Sequence, residues 1–277
     1  MLFTGIPHGA LDHLVAKQNS VLQNRSFSSI HFYTAYLSRM AAYGICWYFF
    51  PSFSLVFFIL ISAFHFGETD IVIIDTHRHL SILFLQATYG LLIVLILILT
   101  HTKEVLPILA ITGHNNSSVI TGIFEPKNRL LFLSIAFVLM LFSLCWLHIK
   151  RSLTFTGYRN FIVQTALLIL PVILLPLPLA FTFYFGCWHS LHSLENIRQH
   201  LSKAEGNEIS FISILKKCIP YSLVAFAGIA VLIVLVNYSG SQYLLLFIFF
   251  IGIAILTAPH LEVMSHMYAQ IRKKIPE

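Results

Sequence analysis

Charge is what this chain has least of: only 10% of its 277 residues are Asp, Glu, Lys or Arg, against roughly 25% in an ordinary soluble domain. So few charges cannot cover a water-soluble globule. Cysteine is scarce too, and its four copies, Cys46, Cys145, Cys187 and Cys218, stand singly. That spacing excludes a disulfide framework and a paired-cysteine metal site. The first residues, MLFTGIPHGALDHLVAKQ, show no basic stretch before an apolar core and no small-residue cleavage site, so a removable secretory signal is not expected. A Walker loop, a dinucleotide fingerprint and a Ser-His-Asp order are also missing. The net charge of +6 sits in short connections between apolar blocks, not in a stripe interleaved with aromatics, which argues against nucleic acid as a partner.

What remains is apolar and comes in long blocks. Hydrophobic residues make up 57% of the chain, and blocks of ~18 or more read as helices that cross ~30 Å of hydrocarbon. Spans are expected at about Ser29 to Phe50, Phe53 to Phe66, Leu80 to Thr100, Leu130 to Leu147, Phe161 to Ala180, Phe181 to Glu195, Ile219 to Asn237 and Gln242 to Ala258. The expectation is an all-α, polytopic transmembrane bundle of about eight spans, two of them short (the second and sixth). It forms one domain over residues 1–277, without repeats or low-complexity linkers, with a polar loop tip at His114 to Ser118. Pro171, Pro176 and Pro178 interrupt the fifth span and are expected to bend or break it before Phe181. In an alternating count, Lys17 and Arg25, Arg78, Lys150, Arg151 and Arg159, Arg198 to Lys217, and Arg272 to Lys274 share one side, which the positive-inside rule assigns to the cytoplasm of a cell inner membrane.

Fourteen histidines in so apolar a chain need a reason, because polar groups at membrane depth are costly and tend to face a functional interior. His31, His77, His79, His101, His114, His148 and His200 fall in loops or near span ends and are read as interfacial or solvated. The other seven sit in four clusters: PHGALDH with His8 and His13, FHFGETD with His65, WHSLH with His189 and His192, and Pro259-His260 with His266. The expected topology carries all four toward the cytoplasmic face. Neutral imidazoles from different helices suit iron, copper, nickel or zinc. Asp12, Glu68, Asp70 and Glu262 are placed to accept the second ring N–H and fix each ring's orientation, with His13 beside them. Gly9 and Gly67, next to His8 and His65, allow a close approach of helices or turns, either for the site or for ordinary small-residue helix contacts. A membrane di-iron desaturase or hydroxylase also uses histidine-rich helices, but His189-x-x-His192 lacks the doubled histidine of its boxes. A haem-binding or transport protein would use histidines for axial ligation or proton relay.

At these residues the sequence resembles the Brp/Blh family of bacterial β-carotene 15,15'-dioxygenases: GIPHGALDH at Gly5 to His13, FHFGETD at Phe64 to Asp70, WHSLHSL at Trp188 to Leu194, and APHLEVMSH at Ala258 to His266. The resemblance implies an Fe(2+) enzyme that cleaves the central double bond of β-carotene with dioxygen to give two molecules of retinal, the chromophore of microbial rhodopsins. It implies His8, His65 and His189 as iron ligands. For the fourth, family members carry a histidine four residues after that of WHS, where this chain has Ser193; His192, one place early, and His260 are the two alternatives.

Overall fold

The computed structural model describes residues 5–71, 79–112, 122–150, 155–237 and 242–273, and among them every regular element is helical. In chain order these are α1 (Gly5–Gly9), α2 (Asp12–Leu22), α3 (Ser29–Phe49), α4 (Pro51–Asp70), α5 (His79–Leu99), α6 (Thr102–Thr112), α7 (Pro126–Ile149), α8 (Phe155–Leu174), α9 (Leu177–Phe181), a π-helical segment (Thr182–His189), α10 (Ser190–Glu205), α11 (Phe211–Asn237) and α12 (Gln242–Lys273). His77, Arg78, His114 to Ser118, Arg151 and Lys274 lie outside the described residues.

Among the described residues, five helices are long and apolar enough to cross a membrane: Pro51–Asp70, Leu80–Leu99, Pro126–Ile149, Phe211–Val231 and Phe250–Ile271. This is a helical membrane protein. The eight expected spans differ from these five in instructive ways. Phe53 to Phe66, expected as short, extends to a full 20-residue helix. Ser29–Phe49 is a 21-residue helix, but Ser38, Arg39 and Thr34 break its apolar run. The fifth stretch is the helix Phe155–Leu174, which keeps Pro171 inside it, contrary to the expected interruption there, and ends before Pro176. The sixth runs through the π segment into the polar helix α10.

The chain groups into two compact units, residues 1–58 with 190–276, and residues 59–189. In the first, α12 lies against α2 and α3, and α1 against α10 and α11. Its aromatic core joins Tyr43 and Trp47 of α3 to Ala254 and Phe250 of α12, and the Tyr43 hydroxyl donates to the Ser54 carbonyl at 2.8 Å across the α3–α4 corner.

In the second unit, α5 and α7 share an apolar face built from Leu85, Ile93, Met140, Leu144 and Leu147, closed by Leu168 and Val172 of α8. Helix α4 meets α5 backbone to backbone. A Cβ at Gly67 would sit 1.8 Å from the Gln86 carbonyl oxygen, and one at Gly90 would sit 1.7 Å from that of Ala63, so only glycine fits at either crossing point.

The proline break falls between α8 and α9. The Leu179 and Ala180 N–H groups both bond the Pro176 carbonyl, which leaves the Leu175 carbonyl to a side chain. His101 Nε2 supplies that donor at 2.8 Å, while its Nδ1 edge lies 3.0 Å from both the Leu97 carbonyl and the Thr100 hydroxyl. His101 is therefore a buried structural residue and not the interfacial one the sequence suggested. His200 is buried likewise, its Nε2 3.1 Å from Asn19 Oδ1.

Candidate metal centre

In the unit of residues 1–58 and 190–276, α1 carries His8 one residue before its end, and the His8 Nδ1 donates to the Gly5 carbonyl. That bond fixes the tautomer and puts the ring lone pair on Nε2. Helix α12 carries His260 directly after its internal proline, Pro259. Both imidazoles are buried, their ring centroids are 5.0 Å apart and nearly perpendicular, and their ligand nitrogens come within 4.8 Å of each other. Asp12, in the first turn of α2, is a buried carboxylate stabilised by its helix N-terminus. Its Oδ1 accepts from His260 Nδ1 at 2.8 Å, and its Oδ2 accepts from the Tyr36 hydroxyl at 2.8 Å. The chain Tyr36–Asp12–His260 ties α3, α2 and α12 together and sets the His260 lone pair on Nε2, the atom a metal would take.

The unit of residues 59–189 repeats this arrangement from unrelated parts. His65 of α4 and His189 of the π segment are buried, with ring centroids 4.9 Å apart at 74°. Phe66 and Phe185 close around His189 at 4.8 and 5.7 Å between ring centres. Asp70, at the end of α4, directs Oδ1 toward His189 Nδ1 at 3.8 Å. Its Oδ2 accepts from Tyr89 at 3.1 Å and Tyr184 at 3.2 Å. The π turn makes this possible. It closes hydrogen bonds between residues five apart, so Tyr184 and His189 lie on one side of the segment, 6.2 Å apart, where both reach Asp70. In an α-helix, positions five apart diverge by about 140°.

In each unit the aspartate of a short motif thus faces a histidine far away in sequence. Glu68 is wholly buried one turn beyond His65. His192 lies half-buried near the start of α10, beside the fully buried Ser193. His13 turns to other partners: its ring tilts over Tyr221 at 4.5 Å and stacks near Tyr33 at 6.4 Å, and burial holds its imidazole below the usual pKa. Glu262 is bound bidentately by Arg39, at 2.8 and 3.0 Å. His266 is exposed. Gly9 has open space around it, so a close approach requires glycine at Gly67 alone of the two motif positions. Sequence reasoning missed Tyr36, Tyr89 and Tyr184, since a tyrosine inside an apolar run looks like any other core residue.

The protein family described as Beta-carotene 15,15'-dioxygenase matches residues 1–268 of the chain. A protein of that name from the uncultured marine bacterium 66A03 is 24% identical over 274 residues, covering 97% of this chain and 91% of its own length. No solved structure matches.

Proposed function

This chain belongs to the beta-carotene 15,15'-dioxygenase family, and from that membership we propose that it cleaves β-carotene at the central 15,15' double bond with dioxygen, giving two all-trans-retinal, with Fe(2+) as cofactor. The ligand set of the proposal is His8, His65, His189 and His260. The observation that carries it is that each unit buries a histidine pair in which one ring faces an aspartate whose second oxygen is held by tyrosine. The donors fit such an ion: imidazole nitrogens suit iron, and the two rings with assigned tautomers, His8 and His260, both carry the lone pair on Nε2. His260 is preferred to His192 as the fourth ligand because it is buried, edge-on to His8 and fixed by Asp12.

When bound, the iron would bring dioxygen to the polyene. The protein's own share is orientation and dryness. Asp12 and Asp70 set ring angles, and Phe66 and Phe185 surround His189 with apolar surface suited to a hydrocarbon substrate. No general acid or base is needed, so positioning selects the bond. β-Carotene would enter from the lipid bilayer, and its retinal product would serve a microbial rhodopsin. The site is assigned to the cytoplasmic side of a cell inner membrane by the positive-inside rule.

Expression in cells that accumulate β-carotene tests the reading: orange pigment should be lost and retinal should appear, and His8→Ala or His65→Ala should abolish both changes. Full activity in both variants, at equal protein levels, would remove the ligand assignment. Metal analysis should find one iron per chain, where a di-iron desaturase would hold two.

A further inference from the structure

Helix α12 is held to its neighbours at two polar points on different sides of its axis. On one side His260 is buried and donates to Asp12 of α2, whose other oxygen accepts from Tyr36 of α3. Two residues on, Glu262 is taken by Arg39 of α3 through a pair of bonds, Nε to Oε2 at 2.8 Å and Nη2 to Oε1 at 3.0 Å. Positions two apart on a helix diverge by about 160° the shorter way round, which agrees with His260 being buried and Glu262 half exposed. Arg39 stands three residues after Tyr36, so the two share a face of α3. That one face therefore reaches both sides of α12, directly at Glu262 and through Asp12 at His260.

We propose that Arg39 and Glu262 are positioning residues that fix the rotation of α12 about its axis and thereby aim His260, an inference that rests on the reading of His260 as a metal ligand. An arginine–carboxylate fork fixes angle as well as distance, because its two parallel bonds hold two planar groups in register. The apolar cluster that also joins α3 to α12, around Ala254, supplies no such angle, since hydrophobic attraction is non-directional. The lever is sensitive. An atom ~6 Å from a helix axis moves about 1 Å when the helix turns ~10°, and a preorganised site tolerates only about 0.5 Å. The Asp12 bond checks such a turn on one side of α12, and the arginine fork checks it on the other. A half-exposed ion pair can bias the helix by no more than it contributes itself, which limits its effect on metal affinity to about fivefold.

The test is Co(II) titration of the full-length chain in detergent after chelator treatment, followed by the cobalt absorption bands, with Tm measured alongside. Arg39→Gln should bind Co(II) about fivefold more weakly, while Tm falls by no more than about 4 °C. Arg39→Lys keeps the charge and loses the fork; it should bind about threefold more weakly, and it covers the case in which Arg39→Gln does not fold. A merely structural pair would lower Tm and leave affinity where it was. Wild-type affinity in Arg39→Gln overturns the inference alone, and so does wild-type affinity in Arg39→Lys, because charge without the fork would then suffice. Absence of Co(II) binding by the wild type, or undiminished binding by His260→Ala, overturns the ligand reading and the inference with it.

Discussion

Gly90→Ala is the substitution that this fold should tolerate least for its size. The added Cβ would lie 1.7 Å from the Ala63 carbonyl oxygen and 2.9 Å from the Gly67 nitrogen. Both are backbone atoms, so no side chain can swing aside. Restoring an ordinary non-bonded separation requires α4 and α5 to part by about 1.5 Å. Overpacking of a tight interior costs typically 1–3 kcal/mol, and a backbone clash belongs at about 3 kcal/mol. For a chain of this size that is a fall of roughly 6 to 12 °C in Tm. The same displacement lengthens the Tyr89–Asp70 bond from 3.1 Å to about 4.5 Å, which breaks it. Thermal unfolding in detergent gives the first number, and retinal formation at a permissive temperature gives the second, where a misplacement of ~1 Å can cost about 100-fold. Gly228→Ala is the control, since nothing lies within 4 Å of its Cβ, and it should leave Tm unchanged or slightly raised. A Gly90→Ala protein within 2 °C of the wild type, roughly 1 kcal/mol or less, would refute the backbone contact on which this reasoning stands.

Asp12→Asn keeps the shape of the buttress and removes its charge, and metal affinity should fall about 10- to 100-fold in a cobalt titration. His260→Ala should abolish metal binding while His192→Ala retains it, a comparison that equilibrium dialysis with Co(II) decides. His101→Leu leaves the Leu175 carbonyl at the proline break without its donor; a loss of about 1–3 kcal/mol should appear as a lower Tm. Arg39→Ala should cost no more than about 1 kcal/mol, because both partners of the Arg39–Glu262 pair are about half exposed (49% and 42%). A much larger loss would mean that this pair sits in hydrocarbon.

The spans that were plain in the sequence are those whose apolar character is continuous, as in α5 and α7. Composition alone suffices there. Where turns of polar residues interrupt the run, as at Ser38 and Arg39 of α3, hydropathy and helix length part company. The histidine motifs were legible because a polar ring in an apolar block is conspicuous; Gly67 stood out no more than Gly9, and only the first meets a neighbouring backbone. The π segment was not legible: no residue preference marks a wide turn, and TFYFGCWH looks like ordinary helix. The tyrosines behind Asp12 and Asp70 were hidden for a related reason. Their roles depend on a hydroxyl meeting a carboxylate from another helix, and a single chain position carries no trace of that meeting. His101 and His200 misled because their positions near span ends suggested solvent, while their partners, Leu175 and Asn19, lie far off in sequence.

The bond between His260 and Asp12 joins residues 248 positions apart. The opening motif and the closing one are therefore poor candidates for separate exchange. A chimera that takes residues 5–13 from a relative with a different acceptor would strand the imidazole at the far end, and one that takes only the last helix would strand the carboxylate. Only grafting both ends together keeps the couple intact, so the two extremities of this polypeptide behave as one heritable part.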